Sequence, residues 1–119
     1  MVEEIRNARI RETHLGPEER GGLVGHLMLD YGDGTVQGFG GYEIAPRGEE
    51  QRRISYTFGA DYILRTLETV GVERWEDLPG KLVRVKVWED GFIRAIGHII
   101  DDKWFDPTML LAEMIGETG

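Results

Sequence analysis

The sequence contains no cysteine, only four prolines among 119 residues, and no apolar run near the roughly 18 residues that span a bilayer. Without cysteine there are no disulfides, no thiol nucleophile and no cysteine-ligated zinc. No leader peptide is expected at the N-terminus. Positive charge is also short: 14 Lys and Arg face 22 Asp and Glu, a formal net charge of −8. A general duplex DNA binder needs a broad positive field, so that class is excluded. Chain length points to one domain covering residues 1–119, large enough for a single core. Glycine, by contrast, is abundant: 17 residues, about 14% against a usual 7% or so. Because glycine weakens regular elements, its excess asks for a reason.

The first half reads as strands. Ile5–Leu15 is extended, Gly16–Gly22 is a turn, and residues 23–31 alternate apolar and polar with a period of two. Asp33-Gly34 marks a hairpin, followed by a strand over Val36–Ile44 and a loop over Ala45–Gln51. A helix is predicted over Gly59–Val70, with Ala60, Ile63, Leu64, Leu67 and Val70 as its core stripe. Asp61 falls in its first turn and Gly71 at its C-terminal cap. Trp75–Leu78 suggests one short helical turn. Leu82–Trp88 and Phe92–Ile100 form a second hairpin around Glu89-Asp90-Gly91, with Trp88 opposite Phe92 and Val87 opposite Ile93. That register places Val83, Val85, Val87, Ile93, Ala95, Gly97 and Ile99 on one face. The other face carries Leu82, Arg84, Lys86, Trp88, Phe92, Arg94, Ile96 and His98. Asp106-Pro107 opens a final short helix. The fold class is α+β: an antiparallel sheet of about five to six strands with two to three helices packed on it.

Three places could carry chemistry. Trp88 and Phe92 offer stacking surfaces, Arg84, Lys86 and Arg94 could meet phosphate, and His98 could donate to a ring or ribose. The bland alternative is a face packed on a helix or a partner subunit, with its cations snorkelling at the rim. Gly38-Phe39-Gly40-Gly41-Tyr42 puts three glycines into a strand, which implies a bulge, a bend or a close neighbour such as a ligand. Gly40 and Tyr42 are its candidate ligand contacts. The helix start at Thr57, Gly59 and Asp61 could bind phosphate through free backbone N–H groups, or be an ordinary cap. No metal centre, hydrolytic motif or cofactor fingerprint is present: His26 and Asp30, four apart on a strand, lie some 13 Å from each other.

Asp30-Tyr31-Gly32, Gln37–Tyr42, Leu67–Val72, Trp75–Lys81 and Ile96–Phe105 together resemble the first-described phage Thoeris anti-defence family, over roughly Ile5 to Met114. The resemblance implies a non-enzymatic sponge. Such a protein holds cyclic ADP-ribose isomers, and in some members cyclic oligonucleotides, without cleaving them, in the cytoplasm of the infected bacterial host. It also implies a homo-oligomer, a dimer or a hexamer, with no membrane and no duplex nucleic acid as partner. Trp88 and His98 would take the family's aromatic and polar roles in the ADP-ribose pocket. Thr57, Gly59 and Asp61 would mark the second type of site. The family's arginines from the C-terminal helix have no counterpart. Between Asp101 and Gly119 stand five acids (Asp101, Asp102, Asp106, Glu113, Glu117) and Lys103 alone, so Arg94 or Arg84 would have to replace them. Two other classes stay open on the residues: a phage interaction protein that binds a host protein, and an enzyme acting on a nucleotide with His98 as first suspect.

Overall fold

The computed structural model describes residues 3–17, 23–45 and 52–118, with side chains over 3–17, 24–40 and 58–113. Of the predicted turn over Gly16–Gly22 and loop over Ala45–Gln51, residues 18–22 and 46–51 lie outside the described residues, while Gly16, Pro17 and Ala45 belong to strands. Strands β1 (Glu4–Pro17), β2 (Leu23–Asp30) and β3 (Val36–Ala45) precede helix α1 (Arg52–Val70). A 3-10 turn at Trp75–Asp77 leads to β4 (Leu82–Val87), β5 (Ile93–His98), β6 (Trp104–Phe105) and helix α2 (Pro107–Thr118). The six strands form one antiparallel sheet in the order β3-β2-β1-β4-β5-β6. The α+β reading of the sequence therefore holds.

Residues opposite each other in neighbouring strands share a face. Ala8, Ile10, Leu27, Leu29, Phe39, Val83, Val85 and Ile96 are buried on one face, beneath Phe58 and Tyr62 of α1, Leu78 after the 3-10 turn and Leu110 of α2. The other face presents Ile5, His14, His26, Arg84 and Lys86, and among the described residues no helix covers it. At one end the sheet curls. Gln37 of β3 donates from Nε2 to the carbonyl of Gly91, in the β4–β5 turn, at 2.6 Å, although β2 and β1 lie between their strands.

Helix α1 differs from the sequence reading in two ways. It begins seven residues earlier, at Arg52, so Thr57, Gly59 and Asp61 lie in its second and third turns. No acidic residue stands in the first turn. The core face is also rotated. Ala60 and Leu64 are exposed, while Phe58, Tyr62, Thr66, Thr69 and Val70 are buried. Two hydroxyls of that face are hydrogen-bonded: that of Tyr62 donates to the Gly25 carbonyl of β2 at 3.2 Å, and that of Thr66 to the Tyr62 carbonyl at 2.7 Å. A buried hydroxyl that keeps its hydrogen bond can occupy a core position, where a purely apolar stripe would not place it. The C-terminal cap is as expected, with the amides of Gly71 and Val72 both donating to the Leu67 carbonyl.

The second hairpin closes as predicted. The Trp88 amide donates to the Phe92 carbonyl, and Val87 faces Ile93. The ladder then slips by one residue. Lys86 pairs with Ala95, Val85 with Ile96, Arg84 with Gly97 and Val83 with His98, leaving Arg94 as the extra residue of a bulge. Ala95 and Gly97 thereby move to the outer face with Arg84 and Lys86. Ile96 and His98 move to the helix side. The expected single aromatic and basic face is corrected accordingly. Strand β6, at residues to which the sequence reading gave no element, pairs Trp104 with Gly97 and Phe105 with Ile96. Asp106 caps α2 as predicted, its Oδ1 accepting the amides of Thr108 and Met109.

Candidate functional site

The slip at Arg94 builds the most developed site. Gly97 now faces the indole of Trp104, and a Cβ placed on Gly97 would lie 2.6–2.8 Å from the ring carbons Cε3, Cζ3 and Cδ2. The glycine lets the indole lie flat on β5. Trp104 Nε1 donates to Asp102 Oδ1 at 3.1 Å. Two cations sit against the same ring, Lys86 Nζ at 4.4 Å and Arg84 Cζ at 4.8 Å from its centroid. Each such cation–π contact is worth about 0.5–1 kcal/mol when exposed and more when desolvated. Further along, Arg94 Cζ lies 4.3 Å from the Trp88 centroid, and its Nε donates to Asp106 Oδ2 at 2.9 Å. Between the two indoles, where β6 ends and α2 begins, lies a groove of about 420 Å³.

The cations differ in what they have left to give. Arg84 is engaged: its Nε donates to the His98 carbonyl and a terminal nitrogen to the Asp101 carbonyl, both at 2.8 Å, so it holds down the turn before β6. Arg94 is paired with Asp106, whose carboxylate is mostly buried. Lys86 makes no ion pair among the described residues. The groove lining sets Lys86, Arg65 and Arg94 against Glu3, Asp106 and Glu113, a formal balance of zero rather than the local excess of positive charge expected from sequence.

The other predicted site residues separate. His98 sits on the helix side, near Gly71, where its Nδ1 accepts the amides of Ile100 and Asp101 at 3.1 and 2.9 Å. These two bonds tie the ring to the turn after β5, and it does not line the groove. Phe92 stands 70% exposed at the hairpin tip, outside the groove. The backbone amides at Thr57, Gly59 and Asp61 belong to the helix interior, which removes the free N–H groups that a phosphate site requires. The side chains of Thr57 and Tyr42 lie outside the described residues. Gly40 has φ +91°, and a Cβ there would run into the Tyr62 hydroxyl; its close neighbour is thus the core. Trp104 is the site residue that sequence reasoning had not named as such, whereas Lys86 had been read as a phosphate contact. Gly97, a glycine inside a strand, was the visible trace of Trp104.

A second hollow of about 580 Å³ lies at the curled end of the sheet. There the Arg6 guanidinium stacks 4.0 Å from the Tyr31 ring centroid and reaches Asp33 at 3.4 Å. The Tyr31 hydroxyl donates to Gln37 Oε1 at 2.6 Å. Burial pushes the Tyr31 phenol above its usual range, against the opposing pull of Arg6. The Thr35 amide holds the Asp33 carboxyl below the usual carboxylate range. Among the described residues no three His, Cys, Asp or Glu side chains come together as a metal cluster, and no helix is long and apolar enough to cross a membrane.

Gly97→Ala tests the packing that supports Trp104. The added methyl overlaps a rigid ring, so the indole must leave the strand, at a cost of about 1–3 kcal/mol. A lower melting temperature together with red-shifted tryptophan emission is expected; an unchanged emission maximum would contradict the contact.

Searches against protein-family models, curated proteins and solved structures found no match to this chain.

Proposed function

We propose that the chain is a non-enzymatic binding protein that sequesters a cyclic nucleotide signal, of the cyclic ADP-ribose or cyclic oligonucleotide type. In this reading it acts in the cytoplasm of an infected bacterium and blocks a Thoeris-type defence. The observation that carries it is the pair of indoles flanking one groove, each already held by a cation, with Lys86 free of carboxylate partners among the described residues. Indole faces stack bases at about 1–3 kcal/mol each, and cations between them meet phosphate. Sequestration needs tight binding without a nucleophile or a general acid. A dissociation constant near 1 nM is about −12 kcal/mol, within reach of two stacks and a few charge-assisted hydrogen bonds in a preformed groove.

Calorimetry with cyclic ADP-ribose isomers and cyclic trinucleotides tests it, with the ligand recovered intact after denaturation. Absence of heat with all of them, from folded protein, would sink the proposal. Cleaved product would convert it to an enzyme. Trp88→Ala should weaken binding about tenfold or more while the circular dichroism spectrum is retained, because Trp88 lies at the groove rim outside the buried core.

Asp106→Asn gives a test with a definite sign. Asparagine keeps the capping oxygen for Thr108 and Met109 but removes the charge facing Arg94. A phosphate-bearing ligand should then bind several-fold more tightly, and a neutral nucleoside should not. Weaker phosphate binding would remove Arg94 from the ligand contacts.

A further inference from the structure

The outer sheet face carries a second feature, at the far end of β1 from the indole groove. His14 and His26 are direct cross-strand partners on β1 and β2. Their rings are stacked, with centroids 5.3 Å apart and planes 28° from parallel. Both rings reach solvent, and neither makes a hydrogen bond among the described residues. Gly16, the next residue of β1 on that face, has no side chain to crowd the His14 ring, whose Cε1–Nε2 edge lies over it. The pairing of β1 with β4 ends at Arg9, so no strand flanks His14 on its other side.

We infer that His14 and His26 form a two-histidine site for a divalent transition metal, copper(II) above nickel(II) and zinc(II). Imidazole is the commonest protein ligand for these ions, and the order of affinity follows the Irving–Williams series. The geometry supports chelation. Zinc–nitrogen bonds of about 2.0–2.1 Å put each ring centre about 3.2 Å from the metal, so two rings in adjacent coordination positions have centres about 4.5–5.2 Å apart. The observed centroid separation of 5.3 Å lies at the edge of that range, and the two rings must turn out of their stack so that one nitrogen of each converges on the ion. Ring stacking alone accounts for the proximity of the two rings, but it leaves their nitrogens without protein partners. Those nitrogens are what a metal takes up. No third His, Cys, Asp or Glu joins them among the described residues, so water or an external ligand fills the remaining positions. Such a site is open and exchangeable, unlike a closed structural zinc centre. It requires neutral imidazoles, because protons compete with the ion for the same nitrogens. It is independent of the nucleotide reading, since none of its residues lines the groove.

Titration calorimetry with zinc chloride at pH 7.5 provides the test, with copper(II) spectroscopy as the second measurement. One ion per chain should bind in the micromolar range. His14→Ala and His26→Ala should each weaken it at least tenfold, with unchanged far-UV circular dichroism, because both rings are solvent-accessible. The copper(II) resonance of the wild-type protein should show coupling to two nitrogens, reduced to one in either variant. Absence of zinc binding up to about 1 mM, or binding that neither substitution alters, would overturn the assignment.

Discussion

Gly40→Ala is expected to lower the melting temperature by about 10–20 °C, the largest effect of a methyl added at any described glycine. Two costs combine. Gly40 has φ +91°, a left-handed conformation that costs a residue with a Cβ about 1–2 kcal/mol. The Cβ would also collide with the hydroxyl of Tyr62, a fully buried side chain, and meet the Gly25 carbonyl at 3.0 Å. Neither neighbour yields cheaply: one is backbone, and the other is packed beside Phe105 and bonded to Gly25. Together these amount to about 3–5 kcal/mol, a large share of the 5–15 kcal/mol that domains typically possess. Gly38→Ala is the internal control. Gly38 has no positive φ, and its Cβ would find only Met28 Sδ at an ordinary 3.7 Å, so a change under about 1 kcal/mol is expected. Combining Gly40→Ala with Tyr62→Phe should restore part of the loss by removing the colliding oxygen. Equal effects at Gly38 and Gly40, read by thermal and chemical denaturation, would show that the close approach of α1 to β3 is wrong.

Trp104→Ala is expected to reduce affinity for a cyclic nucleotide by about 10- to 100-fold, in line with the 1–3 kcal/mol of one base stack. The loss should exceed that of Trp88→Ala, because Lys86, which has no ion pair among the described residues, rests on the Trp104 ring and loses its placement with it. Trp104→Phe should retain most of the affinity, since the platform survives. Trp104→Ala exposes Gly97 and shortens the packing of an edge strand of two residues, so some loss of stability accompanies it. Calorimetry below the variant's melting temperature separates the two effects. Wild-type affinity in Trp104→Ala would remove the groove from the binding reading altogether.

The second hairpin shows how far alternation can be read. Its loop and closing pair were legible because Glu89-Asp90-Gly91 and the Val83, Val85, Val87 series leave one good register at the tip. The slip at Arg94 was not. Ile93, Ala95, Ile96, Gly97 and Ile99 supply a small or apolar residue to both faces, so an inserted residue leaves no mark in the pattern. That single residue sent His98 to the helix side and assembled Arg84, Lys86 and Trp104 on the other. Helix α1 failed for a related reason. Its core residues Tyr62, Thr66 and Thr69 read as surface or neutral until their neighbours are known.

By itself the sequence determined the class: one antiparallel α+β sheet, the turn of the second hairpin, the C-terminal cap of α1, the N-terminal cap of α2 and the acidic balance. These follow from local rules of periodicity, turn chemistry and charge, each acting within a few residues. Only the tertiary structure decided which glycines make room for a neighbour, Gly40 for Tyr62 and Gly97 for Trp104, and which histidines meet. His14 and His26 are twelve positions apart in the chain and side by side in the sheet. Such contacts depend on register between distant strands, which the packing of the whole core sets and no local window contains.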